Sequence, residues 1–371
     1  LALDPSNGEV LALVSLPCFD NNLFSWGISF DDFEKISKDP TNPQLNRSIA
    51  GLYPTGSTIK PFIGIAALEE NLISEKTQIY CPSNLCVENE YSGEGECFPD
   101  WTFHGWSDIK RAIAESVNPF FYIIGGGYTA PKASSEFFDS KLPKTFEGLG
   151  VERIEKYLRL FGLGSLTGID LPGEMEGRVP NPQWKEDYFK DKISQHWYLG
   201  DTYHLSIGQA FLLATPLQMG MAFSVLANEG KLFKPRVAKE IVRVNNAKEE
   251  LKPKIIKENF VSSGSMQIIK QGMRQAVSSP SGSAFSLSGL PVPVAAKTGT
   301  AQPFSKKDIY HNWIAAFAPY QNPKIVLLVL VEEVEGPRIA AQRVVKEVLE
   351  WYFTRNSEPN MIPDSAANEN S

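Results

Sequence analysis

The stretch GLYPTGSTIKPF, residues 51–62, decides how the chain is read. A Gly-Ser-Thr turn runs into an apolar segment, and Lys60 follows Ser57 by three residues. Residues three apart share one helix face, so the Lys60 amine lies within reach of the Ser57 hydroxyl. Serine is a poor nucleophile without a base. Lysine becomes such a base when burial or a nearby positive charge lowers its pKa. N–H groups at a helix start stabilise developing negative charge. Taken alone, Ser-x-x-Lys is a weak pattern, and a capping serine beside a solvated lysine is the plainer account of it.

Composition narrows the choices. The chain has 371 residues, 42% hydrophobic and 21% charged, enough to bury a large core. Its formal charge of −7 disfavours nucleic acid as the main ligand, because phosphate binding needs a basic face. The longest clean apolar run, IVLLVLV at 325–331, is too short to cross a bilayer. No signal peptide is visible. The sequence opens at Leu1 inside an apparent strand and reads as an excised piece, with any membrane anchor expected outside it.

Periodicity gives the elements. GEVLALVSLP, residues 8–17, reads as a strand ended by a proline, and residues 20–47 as polar loop. Residues 58–70 read as a helix with Ile59, Phe62, Ile63, Ala66 and Ala67 on one stripe and Pro61 in its first turn. Further helices are expected over 109–115, 151–161 and 215–227. In the last third, PVAAKTGTAQ, HNWIAAFAP and KIVLLVLVEE read as three extended segments, the last two a hairpin. An amphipathic helix closes the chain, and residues 354–371 read as a disordered polar tail. The expected fold class is α+β: one central antiparallel sheet takes strands from both ends of the chain, with a helical region inserted over about 58–290.

Two more patterns carry chemistry. Ser116 and Asn118, in SVN, end a helical piece and offer a hydroxyl and an amide two residues apart. Lys297, Thr298, Gly299 and Thr300 form KTGT after the apolar PVPVAA. A Gly-containing edge strand with those groups suits a peptide ending in a carboxylate. Each has a plainer account, a polar helix terminus or a kinked edge strand.

Together, the order Ser-x-x-Lys, Ser-x-Asn, Lys-Thr-Gly resembles the signature of penicillin-binding proteins and serine β-lactamases. The segments LALDPSNGEVLALVS, LNRSIAGLYPTGSTIKP, FHGWSDIKRAIAESVNPFFY, GIDLPGEMEGRVPNPQW, GDTYHLSIGQAFLLATPLQM and AAKTGTAQ with HNWIAAFAP resemble, in order, a class B penicillin-binding protein transpeptidase domain. The Tyr-Pro lead before the serine is most like the elongation-type branch, penicillin-binding protein 2. The likeness runs over residues 1–353. Thr55 stands where that family commonly has proline, and Ala210 where it often has glycine.

The resemblance implies a peptidoglycan D,D-transpeptidase acting on stem peptides that end in D-Ala-D-Ala, with β-lactams as mimics. Ser57 is the implied nucleophile and Lys60 its base. Ser116 relays a proton, Asn118 holds the acyl-chain amide, and Lys297, Thr298, Gly299 and Thr300 bind the terminal carboxylate. The N–H groups of Ser57 and Thr300 form the implied oxyanion hole. It also implies a parent anchored at the outer face of the bacterial cytoplasmic membrane, with a pedestal domain absent from this sequence. The parent's implied partners are a SEDS-family glycosyltransferase and elongation-complex proteins. A D,D-carboxypeptidase and a non-enzymatic β-lactam sensor are the alternatives. No Glu-x-x-x-Asn pattern occurs between Pro119 and Ala296, which argues against a class A β-lactamase, and no Gly-x-Ser-x-Gly elbow occurs.

The cysteines leave three readings open. Cys81, Cys86 and Cys97 lie close together and His104 follows. A disulfide between two of the three, a zinc site made by all four residues, and free thiols each fit. No other cofactor is expected. His196, His204 and His311 read as structural or surface residues, and Trp313 and Phe317 as core.

Overall fold

The three extended segments of the last third form three adjacent strands of one sheet. A computed structural model describes residues 1–88, 95–132, 135, 138–303, 308–335 and 339–355. In it, five strands make one sheet: β1 (Ala2–Leu3), β2 (Val10–Ala12), β3 (Ala295–Ala301), β4 (Tyr310–Ala318) and β5 (Ile325–Val334). Their order is β3-β4-β5-β1-β2, and every neighbouring pair is antiparallel. β1 inserts beside β5 with Ala2 opposite Leu327 and Leu3 opposite Val326.

Alternation along β4 shows how the sheet is covered. Trp313, Ala315 and Phe317 face the larger core, while Ile314, Ala316 and Ala318 face a smaller one. Apolar residues on both faces of a strand mean that both faces are buried. The smaller core is closed by the helix Ala340–Arg355, whose Ala341, Val345 and Leu349 form its buried stripe. Asn312 of β4 accepts the Ala341 N–H at 2.9 Å and so fixes the start of that helix. The larger core holds the helices Lys60–Glu69, Asn118–Gly126 and Pro216–Ala227. Thr215 and Gln218 form a capping box at the start of the last of these.

The structure corrects several expectations. The first strand is two short ones, because Asp4 gathers the N–H groups of Ser6 and Gly8 into a turn between them. Residues 20–47 hold a helix, Phe30–Ser37, capped by Ser29 on the Asp32 N–H. The 58–70 helix begins as a 3₁₀ turn, Gly56–Ile59, and continues as Lys60–Glu69. Every residue from Lys60 to Leu68 is buried, so it is wrapped on all sides rather than along one stripe. Among its described residues the inserted region also carries five two-stranded ladders. Thr354 and Arg355 complete the closing helix, and 356–371 lie outside the described residues.

The cysteine question resolves as a disulfide. The strands Asn84–Glu88 and Gly95–Pro99 pair with Cys86 directly opposite Cys97, and the two are joined. A sulfur held in a disulfide is not a thiolate ligand, so Cys86 and Cys97 are unavailable to the four-ligand zinc set expected with Cys81 and His104. Cys81 is a buried free thiol, and His104 points to carboxylates. No group of three or more metal-binding side chains occurs among the described residues. His311 is buried in the sheet, edge-on to Tyr53 at 5.4 Å.

Thr55 is buried and its carbonyl accepts the Thr58 hydroxyl at 2.6 Å, which ties the serine turn together. Ala210 sits in the left-handed region at φ 57°. A Cβ there costs about 1 kcal/mol. Ala210→Gly is therefore expected to raise unfolding stability by about that amount in a urea titration. Replacing both Cys86 and Cys97 by serine is expected to lower it by about 2–3 kcal/mol, the loop-closure value for a short crosslinked loop. A reductant should then move the wild-type midpoint onto that of the double variant and leave the variant where it is.

Candidate active site

Ser57 lies in the 3₁₀ turn, partly exposed, at the floor of a cleft of about 1270 Å³. Two glycines allow the turn to sit against strand β3. A Cβ on Gly299 would lie 2.7 Å from Thr58 Cγ2 and 3.0 Å from the Thr55 carbonyl oxygen. A Cβ on Gly56 (φ 52°) would lie 2.5 Å from the Thr300 carbonyl oxygen. Only bare backbone permits that approach. Trp313 of β4 locks it from below by donating its ring N–H to the Pro54 carbonyl at 3.0 Å.

Lys60 is fully buried one turn beyond Ser57. Its Nζ donates to the Ser116 carbonyl at 2.7 Å, to Asn118 Oδ1 at 2.6 Å and to Ser116 Oγ at 3.3 Å. No hydrogen bond joins it to Ser57. The lysine therefore bridges the first and second motifs at rest. Burial pulls its pKa from 10.5 down to about 7, against the opposing pull of Asp100 and Cys81. The Phe121 ring, 5.3 Å away, offers its face to the charged form.

Ser116 turns the chain between two helices, Ile109–Glu115 and Asn118–Gly126, at φ 62° and ψ 41°. A non-glycine residue in that region is unusual and is found at sites where geometry serves function. The bend aims both its carbonyl and its hydroxyl at the lysines. Lys297, fully buried on β3, donates to Ser116 Oγ at 2.9 Å and to the Thr298 carbonyl at 2.9 Å. Its pKa lies well below the usual lysine value, first through burial and then through the positive charge of Lys60. Ser57, Lys60, Ser116, Asn118 and Lys297, from three separate regions of the chain, thus converge.

Among the described residues β3 is an edge strand, paired with β4 alone. The Thr300 carbonyl accepts Gln209 Nε2 at 3.1 Å, away from β4. A strand residue's N–H points to the same side as its carbonyl, so the Thr300 N–H also projects from the free edge. Thr298 and Thr300 are partly exposed and line the cleft with Gly299. The first N–H groups of the Ser57 turn have no partner inside it. The backbone of Thr300 lies against Gly56, so the free edge of β3 meets the turn that carries Ser57.

Other cleft residues went unread in the sequence. Gln209 lies in the quoted SIGQA but carried no recognised role. His204, read as structural or surface, lines the cleft. Asp100 accepts the Asn118 N–H at 3.1 Å and the Trp101 N–H at 2.8 Å. Its signal was an aspartate four residues before His104, overshadowed by the cysteines.

The chain matches the penicillin binding protein transpeptidase domain family over residues 1–350. It is 33% identical over 374 residues to the peptidoglycan D,D-transpeptidase MrdA of Haemophilus influenzae, covering 96% of this chain and 52% of that protein. The chain thus spans about half the length of this curated relative. Penicillin-binding protein 2 from Helicobacter pylori superposes with a TM-score of 0.75 at 34% identity, covering 95% of this chain and 59% of that one. The same protein in its complex with MreC superposes with a TM-score of 0.77 at 33% identity, covering 96% and 59%. The central antiparallel sheet with its inserted helices is the transpeptidase fold. Sequence, fold and the convergence of the three motifs agree: the chain belongs to the penicillin-binding protein transpeptidase family.

Proposed function

We propose that this chain is the catalytic domain of an elongation-type peptidoglycan D,D-transpeptidase. The observation that carries the reading is the meeting of Lys60, Ser116, Asn118 and Lys297 behind Ser57. Near neutral pH a substantial fraction of Lys60 is neutral, keeping two N–H groups and one lone pair. The two short bonds, to the Ser116 carbonyl and to Asn118, retain the N–H groups. The lone pair, freed from the longer contact, takes the Ser57 proton as Ser57 Oγ attacks the penultimate D-Ala carbonyl.

The N–H groups of Ser57 and Thr300 hold the oxyanion. Lys297, Thr298 and Thr300 receive the terminal carboxylate, and Asn118 Nδ2 the acyl-chain amide. Gly299 keeps the strand close enough for both. The proton passes from Lys60 through Ser116 to the departing D-Ala nitrogen as the C–N bond breaks. An amine of a neighbouring stem peptide then attacks the Ser57 ester and restores the hydroxyl. Water in place of that amine would make the reaction a carboxypeptidase one. A β-lactam follows the first half and stays bound. The alternating free edge of β3 favours a peptide over a compact hydrolytic substrate.

The Cys86–Cys97 disulfide supports placement on the oxidising, outer face of the cytoplasmic membrane. Among the described residues no helix is long and apolar enough to cross a membrane. The partners proposed for the parent are a SEDS-family glycosyltransferase and elongation-complex proteins, the latter in keeping with the MreC complex of the related protein.

Intact mass after incubation with benzylpenicillin should rise by one drug mass on the wild type and not on Ser57→Ala. A stable adduct with no turnover of a D-Ala-D-Ala stem peptide would favour the sensor reading, and rapid drug loss without adduct a hydrolase. Lys60→Met should abolish the adduct yet stabilise the fold. Holding a lysine at a pKa of about 7 rather than 10.5 costs about 5 kcal/mol wherever the unfolded chain is protonated and the folded one resists it. That penalty is complete below pH 7 and fades as pH rises towards 10.5. The gain in Tm on Lys60→Met should accordingly be largest near pH 6 and shrink at alkaline pH.

A further inference from the structure

One carbonyl on the free edge of β3 is already taken. Gln209 Nε2 donates to the Thr300 carbonyl at 3.1 Å, across a separation of 91 residues. A carbonyl only accepts, so the Gln209 amide must turn its nitrogen towards it. Among the described residues this is the one hydrogen bond of the Gln209 side chain. Both residues are partly exposed and both line the catalytic cleft. The backbone that carries Gln209 is fixed. The Gly208 carbonyl accepts the Gly56 N–H at 2.8 Å, and a Cβ on Gly208 would lie 2.1 Å from the Gly56 carbonyl oxygen. The Gln209 N–H is held by the His204 carbonyl at 2.9 Å, inside the helix Leu199–Ser206. The loop is thus pinned to the serine turn and to a helix, while its glutamine side chain reaches β3 through a single bond and can leave without the loop moving.

We propose that Gln209 is a specificity-determining residue: its amide stands in for the backbone N–H of a strand-like ligand, and a ligand that brings its own N–H must displace it from the Thr300 carbonyl. The inference rests on the acyl-transfer reading of the site. In the empty enzyme the glutamine keeps an edge carbonyl from standing open to any passing strand. A ligand with an N–H in the right place replaces that bond with its own. A ligand without one leaves the glutamine where it is.

Strand geometry gives the reason for the competition. A peptide laid along a free edge bonds to both the N–H and the C=O of the edge residues that face it. With the Thr300 N–H engaged by the oxyanion, the Thr300 carbonyl is the acceptor left for the ligand. A trans amide points its N–H opposite to its C=O. With Asn118 Nδ2 on the acyl-chain carbonyl, that N–H is turned away from Asn118 and into the cleft that Thr300 also lines. A carbonyl oxygen has two lone pairs and could in principle serve two donors. Here the serine turn crowds it: a Cβ on Gly56 would lie 2.5 Å from the Thr300 oxygen. One approach is therefore closed by backbone, and the glutamine amide and the ligand N–H contend for the other.

The test compares Ser57 acylation of the 371-residue chain by two drugs, for wild type and Gln209→Met. Benzylpenicillin carries a side-chain amide N–H beside its lactam ring. Imipenem, a carbapenem, carries a hydroxyethyl group there and no amide. Saturation kinetics separate the binding constant from the limiting acylation rate. Gln209→Met keeps the length of the side chain and removes the donor. The saturation constant for benzylpenicillin should fall about 2- to 10-fold relative to that for imipenem, the worth of one hydrogen bond regained. The gain should lie in binding rather than in the limiting rate, because the Thr300 N–H stays in place. A residue that merely braced β3 would, when replaced, lower the limiting rate with both drugs, and that result would overturn the proposal. An equal gain with both drugs, or an unmoved ratio in a protein that still forms the Ser57 adduct, would overturn it too while leaving the acyl-transfer reading intact. Lack of any Ser57 adduct on the wild type with either drug would overturn both. If Gln209→Met does not fold, Gln209→Asn decides by the same ratio, since an amide one methylene shorter falls out of hydrogen-bond reach of Thr300 from the pinned loop.

Discussion

Two lysines, both without solvent exposure, share one serine hydroxyl: this is the constraint on which the rest of the structure depends. Each ammonium loses hydration on burial, and each raises the cost of charging the other. The arrangement is tolerable only where every donor has a fixed acceptor. Asn118, the Ser116 carbonyl and the Thr298 carbonyl supply them. The left-handed backbone at Ser116, the wholly buried helix after Ser57 and the two backbone contacts at Gly56 and Gly299 all serve that enclosure. A protein selected for stability alone would place methionine or leucine at these positions. The lysines therefore mark where stability has been given up for reactivity.

The sheet supplies the stiffness that such a site needs. β3 carries Lys297 and its threonines, β4 carries the Trp313 ring that holds the serine turn, and both faces of β4 are packed. Side chains on a strand buried on both faces have little freedom to shift, so donor distances at the cleft are set by the core rather than by loops. The cleft-facing edge of β3 is left open because, among the described residues, β3 pairs with β4 alone.

Much of this was legible in the residues, unevenly and for physical reasons. The three late strands and the Ile109–Glu115 helix announce themselves through β-branched runs and apolar periodicity. The Ser57–Lys60 spacing was meaningful only beside Ser116, Asn118 and Lys297, since each pattern alone has a plain structural account. The Phe30–Ser37 helix was missed because none of its residues is buried, so its apolar stripe has no core to signal. Its Ser29–Asp32 cap was the readable sign. Asp100 and Gln209 were missed because their roles depend on long-range contacts that no local spacing encodes. The cysteines left a disulfide, a zinc site and free thiols open because sequence proximity shows neither which sulfurs face each other nor that Cys81 is a buried free thiol.

The pairing of β1 with β5 has a consequence for the order of assembly. Leu1 and Leu328 exchange backbone hydrogen bonds across a separation of 327 residues. β1 thus has β2 as a near neighbour in sequence but gains its second partner only from β5, more than 300 residues later. Ends that meet so late make a high contact order, and such chains fold slowly, with apolar segments exposed meanwhile. The sheet therefore closes only once β5 has been made. Until then β3, which carries Lys297, has no completed sheet to hold it against Ser116.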